Sequence, residues 1–240
     1  MNYRHLPLPL ILLVGGCSQE QAAVSVADTT PAVDVAALKA RVAELEQKAQ
    51  RLKDVNAIKR LQRAYGYYVD NAMWDEVIDL CSEDATFEIA LDGVYIGKDS
   101  IRKYLYALSG GQPGLPAGTL NEHMQLQPVI DVAPDGNTAQ GRWRALIMSG
   151  VWGESATWGE GPYENTYVKD NGIWKIKSTH WYETLLVPYA GGWAAIRGDL
   201  HNGKFVSDNV PPDAPPTEQY EVWPGANLPL YHYKNPVTGQ

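Results

Sequence analysis

Apolar residues set the rhythm of the chain from Val35 onward. Leu38, Val42, Leu45, Ala49 and Leu52 recur at spacings of four, three, four and three, with Lys39, Arg41, Glu44, Glu46, Lys48 and Arg51 between them. This is a heptad-like helix of about two and a half repeats. It serves either as a short oligomerising stalk or as an amphipathic helix lying on its own domain. The helical period continues through Ile58, Leu61, Tyr65 and Tyr68 to Asp70, and Trp74, Val77, Ile78 and Cys81 mark a second, short helix. Ala85–Ala90 reads as a strand, Asp92-Gly93 as a hairpin turn and Val94–Gly97 as its return. Asp99–Leu108 predicts a third helix, with Ile101, Tyr104, Leu105 and Leu108 on one face.

The second half alternates in strand fashion. His123–Val132 ends at the turn Pro134-Asp135-Gly136-Asn137, Thr138–Trp152 forms a long strand, and Tyr163–Lys169 turns through Asp170-Asn171-Gly172 into Ile173–Leu186. Helices first and an antiparallel meander afterwards predict an α+β fold with the helices gathered on one side of the sheet. The Gly/Pro-rich loop Ser109–Gly118 is long enough to form a lid or a pocket rim.

Before and after this region the pattern changes. Residues 1–17 carry Arg4, an apolar run from Leu6 to Val14, and Gly15-Gly16-Cys17. That is a secretory signal, too short to stay as a spanning helix. Leu13-Val14-Gly15-Gly16-Cys17 resembles a bacterial lipobox, which implies acylation of Cys17 and removal of the signal; Ser18 at the next position implies outer-membrane sorting, facing the periplasm. Residues 18–34 read as a flexible tether and 35–53 as the amphipathic helix, followed by a domain over 54–186. Residues 187–240 hold eight of the sixteen prolines, with Trp193, Phe205, Tyr220, Trp223, Tyr231 and Tyr233. So many aromatic residues predict an arm that packs on the domain or on a neighbouring subunit.

Charge and composition narrow the function classes. A net charge of −8 disfavours nucleic-acid binding and gives no electrostatic attraction to anionic lipid, leaving the N-terminal lipid as the membrane contact. Cys81 sits in an apolar pattern and reads as a buried, inert thiol. The chain has eight Trp and fourteen Tyr against two Phe, a balance that suits pocket walls for a phenolic or polycyclic ligand. No phosphate loop, metal-ligand spacing or nucleophile elbow is evident, so neither a cofactor nor a metal is expected.

Three groups of residues resemble the SnoaL-like family of the nuclear transport factor 2-like superfamily. They are Ile58–Tyr65 with Tyr68–Asp75; Asp84–Phe87 with Gly97–Ile101; and Tyr163–Asn165 with Asp170–Ile176. The resemblance implies a cone-shaped α+β barrel, a curved, mainly antiparallel mixed sheet on about three helices, here with an N-terminal helical extension. Relatives include scytalone dehydratase, polyketide cyclases, ketosteroid isomerases, diarylpropane lyases and non-catalytic binding modules, so the fold alone does not fix the activity. The expectation is a cofactor-independent lyase, of dehydration or retro-aldol type, on a small aromatic or polycyclic substrate. The alternatives are a periplasmic binding module for a hydrophobic ligand and a structural envelope lipoprotein. A homo-oligomer, dimer or trimer, is expected.

Asp70 and His123 match the dehydratase-like aspartate and histidine; the tyrosine before that aspartate is Val69 here, and Ser149 stands where the second histidine would be. Tyr68 or Tyr65 substitutes for the missing tyrosine, and Tyr163 matches a pocket-lining position. An alternative role for Asp70 is capping the next helix. Strand alternation places Trp174, Ile176, Ser178, His180 and Tyr182 on one face, directing His180 and Tyr182 toward the barrel mouth unless a bulge intervenes. Asp70, His123, His180 and Tyr68 are therefore the catalytic candidates. Tyr65, Trp143, Ser149, Tyr163, Asn165, Tyr167 and Tyr182 are the substrate-binding candidates, with Arg142 and Arg144 opposite Trp143.

Overall fold

The computed structural model describes residues 34–190, 205, 209–220 and 232. The signal, Cys17 and nearly all of the tether lie outside the described residues, as do Trp193, Trp223, Tyr231 and Tyr233. Two compact units divide at Arg41 and Val42. In the first, Asp34 caps the start of a helix, its Oδ1 accepting the N–H groups of Ala36 and Ala37 at 2.9 and 3.0 Å. No helix among the described residues is long and apolar enough to cross a membrane.

The elements run α1 (Val35–Asp70), α2 (Trp74–Asp79), β1 (Cys81–Ile89), β2 (Val94–Ile96), α3 (Gly97–Leu108), β3 (Thr119–Val132), β4 (Thr138–Val151), β5 (Ser155–Asp170), β6 (Ile173–Trp181) and β7 (Leu185–Pro188). Seven strands form one curved sheet in the order β2-β1-β6-β5-β4-β3, with β7 on β5. Only β1 and β6 run parallel. The fold is α+β, as its sequence pattern implies. Several boundaries differ from expectation: β3 and β5 begin earlier, at Thr119 and Ser155, and two further differences have a visible cause. Cys81 opens β1 instead of ending α2, because Leu80 already accepts the Ile176 N–H and Cys81 lies in register with Ile176. The predicted strand Ile173–Leu186 is two, broken after Trp181, where the Tyr182 N–H turns to bond the Pro162 carbonyl.

From Asp54 onward α1 buries one face, comprising Asp54, Ile58, Gln62, Tyr65, Gly66 and Val69. Their spacings follow the helical period, so a single stripe meets the sheet. Two members of the stripe are polar, and each has its partners. Asp54 Oδ1 accepts the Trp174 indole N–H at 2.9 Å and pairs with Lys169 at 2.8 Å. Burial pushes its carboxyl up, but hydrogen bonds from Lys169, Trp174 and Gln50 outweigh this and hold the pKa below the usual value. Gln62 is fully buried; its Oε1 accepts the Tyr167 hydroxyl at 2.8 Å and the Asn165 amide at 3.0 Å, and its Nε2 donates to Gln125 at 2.9 Å. Trp143 donates its indole N–H to the same Tyr167 hydroxyl at 2.8 Å.

Phe87, Tyr104, Ile101, Ile147, Tyr163 and Trp181 are buried between this stripe and the sheet, with Cys81 among them. Burial pushes the Cys81 thiol up to about 12, which keeps it protonated and inert. Replacing Gln62 by leucine preserves volume but strands the Tyr167 hydroxyl and the Asn165 amide away from water. The expected cost is about 2–4 kcal/mol, read as a lower urea midpoint at unchanged slope; an unchanged midpoint removes the polar pin from the account.

Candidate active site

Gly66 lies at the close approach of α1 to β3: a Cβ there would meet the His123 carbonyl oxygen at 3.1 Å and Gln125 Cγ at 3.0 Å, so a larger residue would push helix and strand apart by a few tenths of an ångström. Beyond that contact the end of α1 is tied to the same strand twice. Asp70 Oδ1 accepts the His123 backbone N–H at 2.5 Å, and Asn121 donates its amide to the Val69 carbonyl at 3.0 Å. These bonds fix the backbone that carries the His123 side chain.

That side chain enters a cavity of about 620 Å³ between α1, α3 and the sheet. In register, His123 faces Ile147 across β3 and β4, while Tyr163 on β5 lies between Trp143 and Trp181. His123 Nε2 is 2.8 Å from the Tyr163 hydroxyl. Tyr163 in turn interacts with the Tyr65 hydroxyl, the two rings standing edge to face at 6.2 Å. Phe87, Tyr104 and Trp181 supply further aromatic wall, and Ser149 with Asn121 adds polar groups. Ser109, Leu115 and Pro116 of the loop before β3 complete one side.

Burial sets the protonation states. It lowers the His123 pKa to about 4, so the imidazole is neutral at pH 7 and can take up a proton. Burial also raises Tyr65 and Tyr163, Tyr163 well above 10, so both phenols keep their protons and act as donors. In the tautomer with its proton on Nδ1, His123 accepts the Tyr163 O–H at Nε2. Asp70 is raised as well, chiefly by burial, partly offset by the bond from His123 N–H.

Four of the sequence candidates meet in the cavity lining: Tyr65, His123, Ser149 and Tyr163. Asp70 does not line it; its Oδ1 accepts the His123 backbone N–H. Tyr68 is turned off the buried face of α1 and packs only at the edge of the core. Trp143, Asn165 and Tyr167 point inward but lie beside Gln62 in the hydrogen-bonded network under α1, outside the lining.

His180 and Tyr182 do not line the cavity, contrary to the alternation expected for β6. Thr166 pairs with Ser178 but Tyr167 pairs with Ile176, so Lys177 is an extra residue in β6. That bulge inverts the alternation after it. Trp181 then faces the cavity, and His180 faces the other side of the sheet, in register with Glu88 and Glu164. There Arg142, Glu164, His180 and Glu88 form a row across four strands, with Arg142 paired to Glu164. The same side carries Arg144, paired with Glu160. His180 stacks on Tyr182 at 3.8 Å and lies 3.5 Å from Glu88; burial lowers its pKa to about 4.

Described parts of the C-terminal segment cover this row. Thr217 donates its N–H and its hydroxyl to Glu88 at 2.6 and 2.8 Å, Tyr182 donates to Glu218 at 2.5 Å, and His232 Nδ1 meets Glu164 at 2.7 Å. Ala214 bridges to Val94, and Val210 accepts the Tyr95 hydroxyl at 3.1 Å. The same segment delivers a residue to the cavity itself. Phe205, held by its N–H on Asp92 at 2.9 Å, lines the cavity with its ring 6.0 Å from Trp181. Sequence reasoning missed Trp181, Phe87 and Phe205 as lining residues. Only the bulge reveals the first, and nothing local to residue 205 signals the last.

Among the described residues no group of three or more His, Cys, Asp or Glu side chains is placed to hold a metal ion. Comparison with solved structures finds the same architecture in several proteins. A Novosphingobium aromaticivorans protein named for scytalone dehydratase is 23% identical, with a TM-score of 0.52 over 72% of this chain and 99% of that one. LinA is 17% identical, with a TM-score of 0.51 over 60% and 95% of the two chains. A type 2 hexachlorocyclohexane dehydrochlorinase (LinA) is 19% identical, with a TM-score of 0.50 over 63% and 99%. These likenesses concern the fold alone. Residues 50–180, more than half of the chain and including every residue of the His123–Tyr163–Tyr65 cluster, match the SnoaL-like domain, and the protein belongs to that family.

Proposed function

We propose that this protein is a cofactor-independent lyase acting on a small aromatic or polycyclic compound. The observation that carries the reading is the neutral His123 imidazole 2.8 Å from a protonated Tyr163 hydroxyl, inside an aromatic-walled cavity of about 620 Å³. A pocket of this size and character suits one small, flat molecule. Two of the similar structures bear names that denote eliminations, a dehydratase and a dehydrochlorinase, which supports the same class of chemistry here.

In a dehydration, the His123 imidazole takes a proton from carbon, and the freed electron pair forms the double bond. The adjacent C–O bond breaks, and the leaving oxygen takes a proton from a phenol, Tyr163 or Tyr65, departing as water. The imidazolium then returns its proton to the phenolate along the His123–Tyr163 contact, restoring both groups. In a retro-aldol loss of formaldehyde the imidazole takes the hydroxymethyl O–H proton, the adjacent C–C bond breaks as the C=O of formaldehyde forms, and the electron pair left on the substrate carbon takes up a proton from the phenol. General acid–base catalysis of this kind contributes roughly 10²–10⁴-fold in rate. The cavity walls bury the Tyr163 hydroxyl and partly bury His123, and the Asp70 bond holds the base in place. The lipobox resemblance supports a lipid-anchored enzyme at the outer membrane, facing the periplasm.

The test is turnover of a panel of phenolic and polycyclic compounds, followed by mass spectrometry, with binding read by thermal shift. His123→Gln and Tyr163→Phe should each lose about 10²–10⁴-fold in kcat while still binding. Asp70→Asn keeps an acceptor for the His123 N–H and should lose no more than about tenfold. Because the base must be neutral, kcat/KM should fall as pH drops through about 4, with no alkaline limb below pH 10. Binding without turnover by the native protein identifies a carrier instead.

Phe205 offers a separate check on the boundary of the pocket. Phe205→Ala should weaken binding of 2-naphthol about tenfold, and Phe205→Leu by less, measured by fluorescence titration. Equal affinities for all three proteins would place Phe205 outside the ligand site.

A further inference from the structure

Within the larger unit, every residue of α1 from Val42 to Lys53 is exposed, including Val42 at 53%, Leu45 at 49% and Leu52 at 67%. A solitary helix of this length is marginal in water unless its apolar stripe is covered.

We infer that this stripe is covered by the same stripe of a second copy of the chain, as a parallel two-stranded coiled coil. The residue types at each heptad position select that occupant. Val35, Val42 and Ala49 fall at a positions, and Leu38, Leu45 and Leu52 at d positions. β-branched residues at a with leucine at d favour parallel dimers over trimers. The flanking charges agree in direction. In a parallel pair each g residue faces the e residue five positions further along its partner, which sets Arg41 against Glu46 twice, once on each side. Lys48 against Lys53 opposes this and limits the strength of the association. Glu44 at c and Lys48 at g pair within the helix at 2.6 Å, and the a and d positions from Val35 to Leu52 carry no charge. The coil ends where its seam does: the next a and d positions are Asn56 and Lys59, and from Asp54 the helix turns a different face to its own sheet. The helix thus has two successive partners, a second chain and then the catalytic domain.

Sedimentation velocity of the full-length protein over a dilution series tests this. The native chain should show a concentration-dependent monomer–dimer equilibrium. Leu45→Glu should shift it to monomer without changing the far-sheet fold, and its cavity should still bind 2-naphthol. Arg41→Glu should weaken the dimer roughly tenfold, because it turns two attractive pairs into repulsive ones. Arg41→Glu with Glu46→Arg should restore it, a rescue that only the parallel alignment provides. A native chain that stays monomeric throughout, a trimer, or a dimer indifferent to Leu45→Glu would each overturn the proposal. Dimer loss in Arg41→Glu without rescue in the double variant would overturn the parallel alignment.

Discussion

The close approach of α1 to β3 is the contact on which the site depends. Gly66 lets the helix come within reach of the His123 carbonyl, and Asp70 then takes the His123 N–H. Asn121 of the same strand donates its amide to the Val69 carbonyl, so the end of one helix holds the strand on both sides of Glu122. Further back along the helix, Gln62 and Asp54 repeat the device with other strands. Each polar pin is costly if broken, because its partners are sealed from water. The helix is thus positioned by directional bonds at four places, with apolar packing filling the space between.

The same sealing supplies the chemistry. Removing water disfavours every charged form, which leaves histidine unprotonated and tyrosine protonated at the pH where a lyase would work. Neither state depends on a charged neighbour. Asp70, the nearest carboxylate bonded to the segment, contributes through the backbone. This separates the arrangement from a carboxylate–imidazole pair and places the burden of proton donation on Tyr163 and Tyr65. The opposite side of the sheet shows the contrasting solution. There Glu88, His180, Glu164 and Arg142 lie in a row under the C-terminal segment: Thr217 bonds Glu88, His232 meets Glu164 and Arg142 pairs with Glu164, while the buried His180 Nε2 has no hydrogen-bond partner among the described residues.

Much of the fold was legible because strand alternation is a local property. His123, Ser149 and Tyr163 sit on inward positions of uninterrupted stretches, and counting by twos finds them. The count fails at Lys177, where one inserted residue exchanges Trp181 for His180 at the cavity. Nothing in the composition around Lys177 distinguishes a bulge from a regular strand. Helical periodicity read Ile58 and Tyr65 correctly as buried, but no apolar pattern announces Asp54 or Gln62. Their burial is permitted only by partners more than a hundred residues away, Trp174 for one and Tyr167 with Asn165 for the other. Asp70 was singled out for the right neighbour and the wrong atom, since sequence spacing cannot separate a bond to an imidazole from a bond to its backbone. Phe205 shows the same limit at longer range: its place in the lining comes from a segment docked along β1 and β2.

The central claim is that burial keeps His123 neutral beside a protonated phenol. Its most direct test is an NMR pH titration of the ¹⁵N-labelled imidazole in the intact protein. The structure predicts that His123 stays neutral down to about pH 4. The Nε2 resonance should carry the signature of an acceptor, which Tyr163→Phe abolishes. A His123 that titrates near the ordinary value of about 6.5, or that responds to Asp70→Asn as a carboxylate-paired imidazole would, contradicts the account.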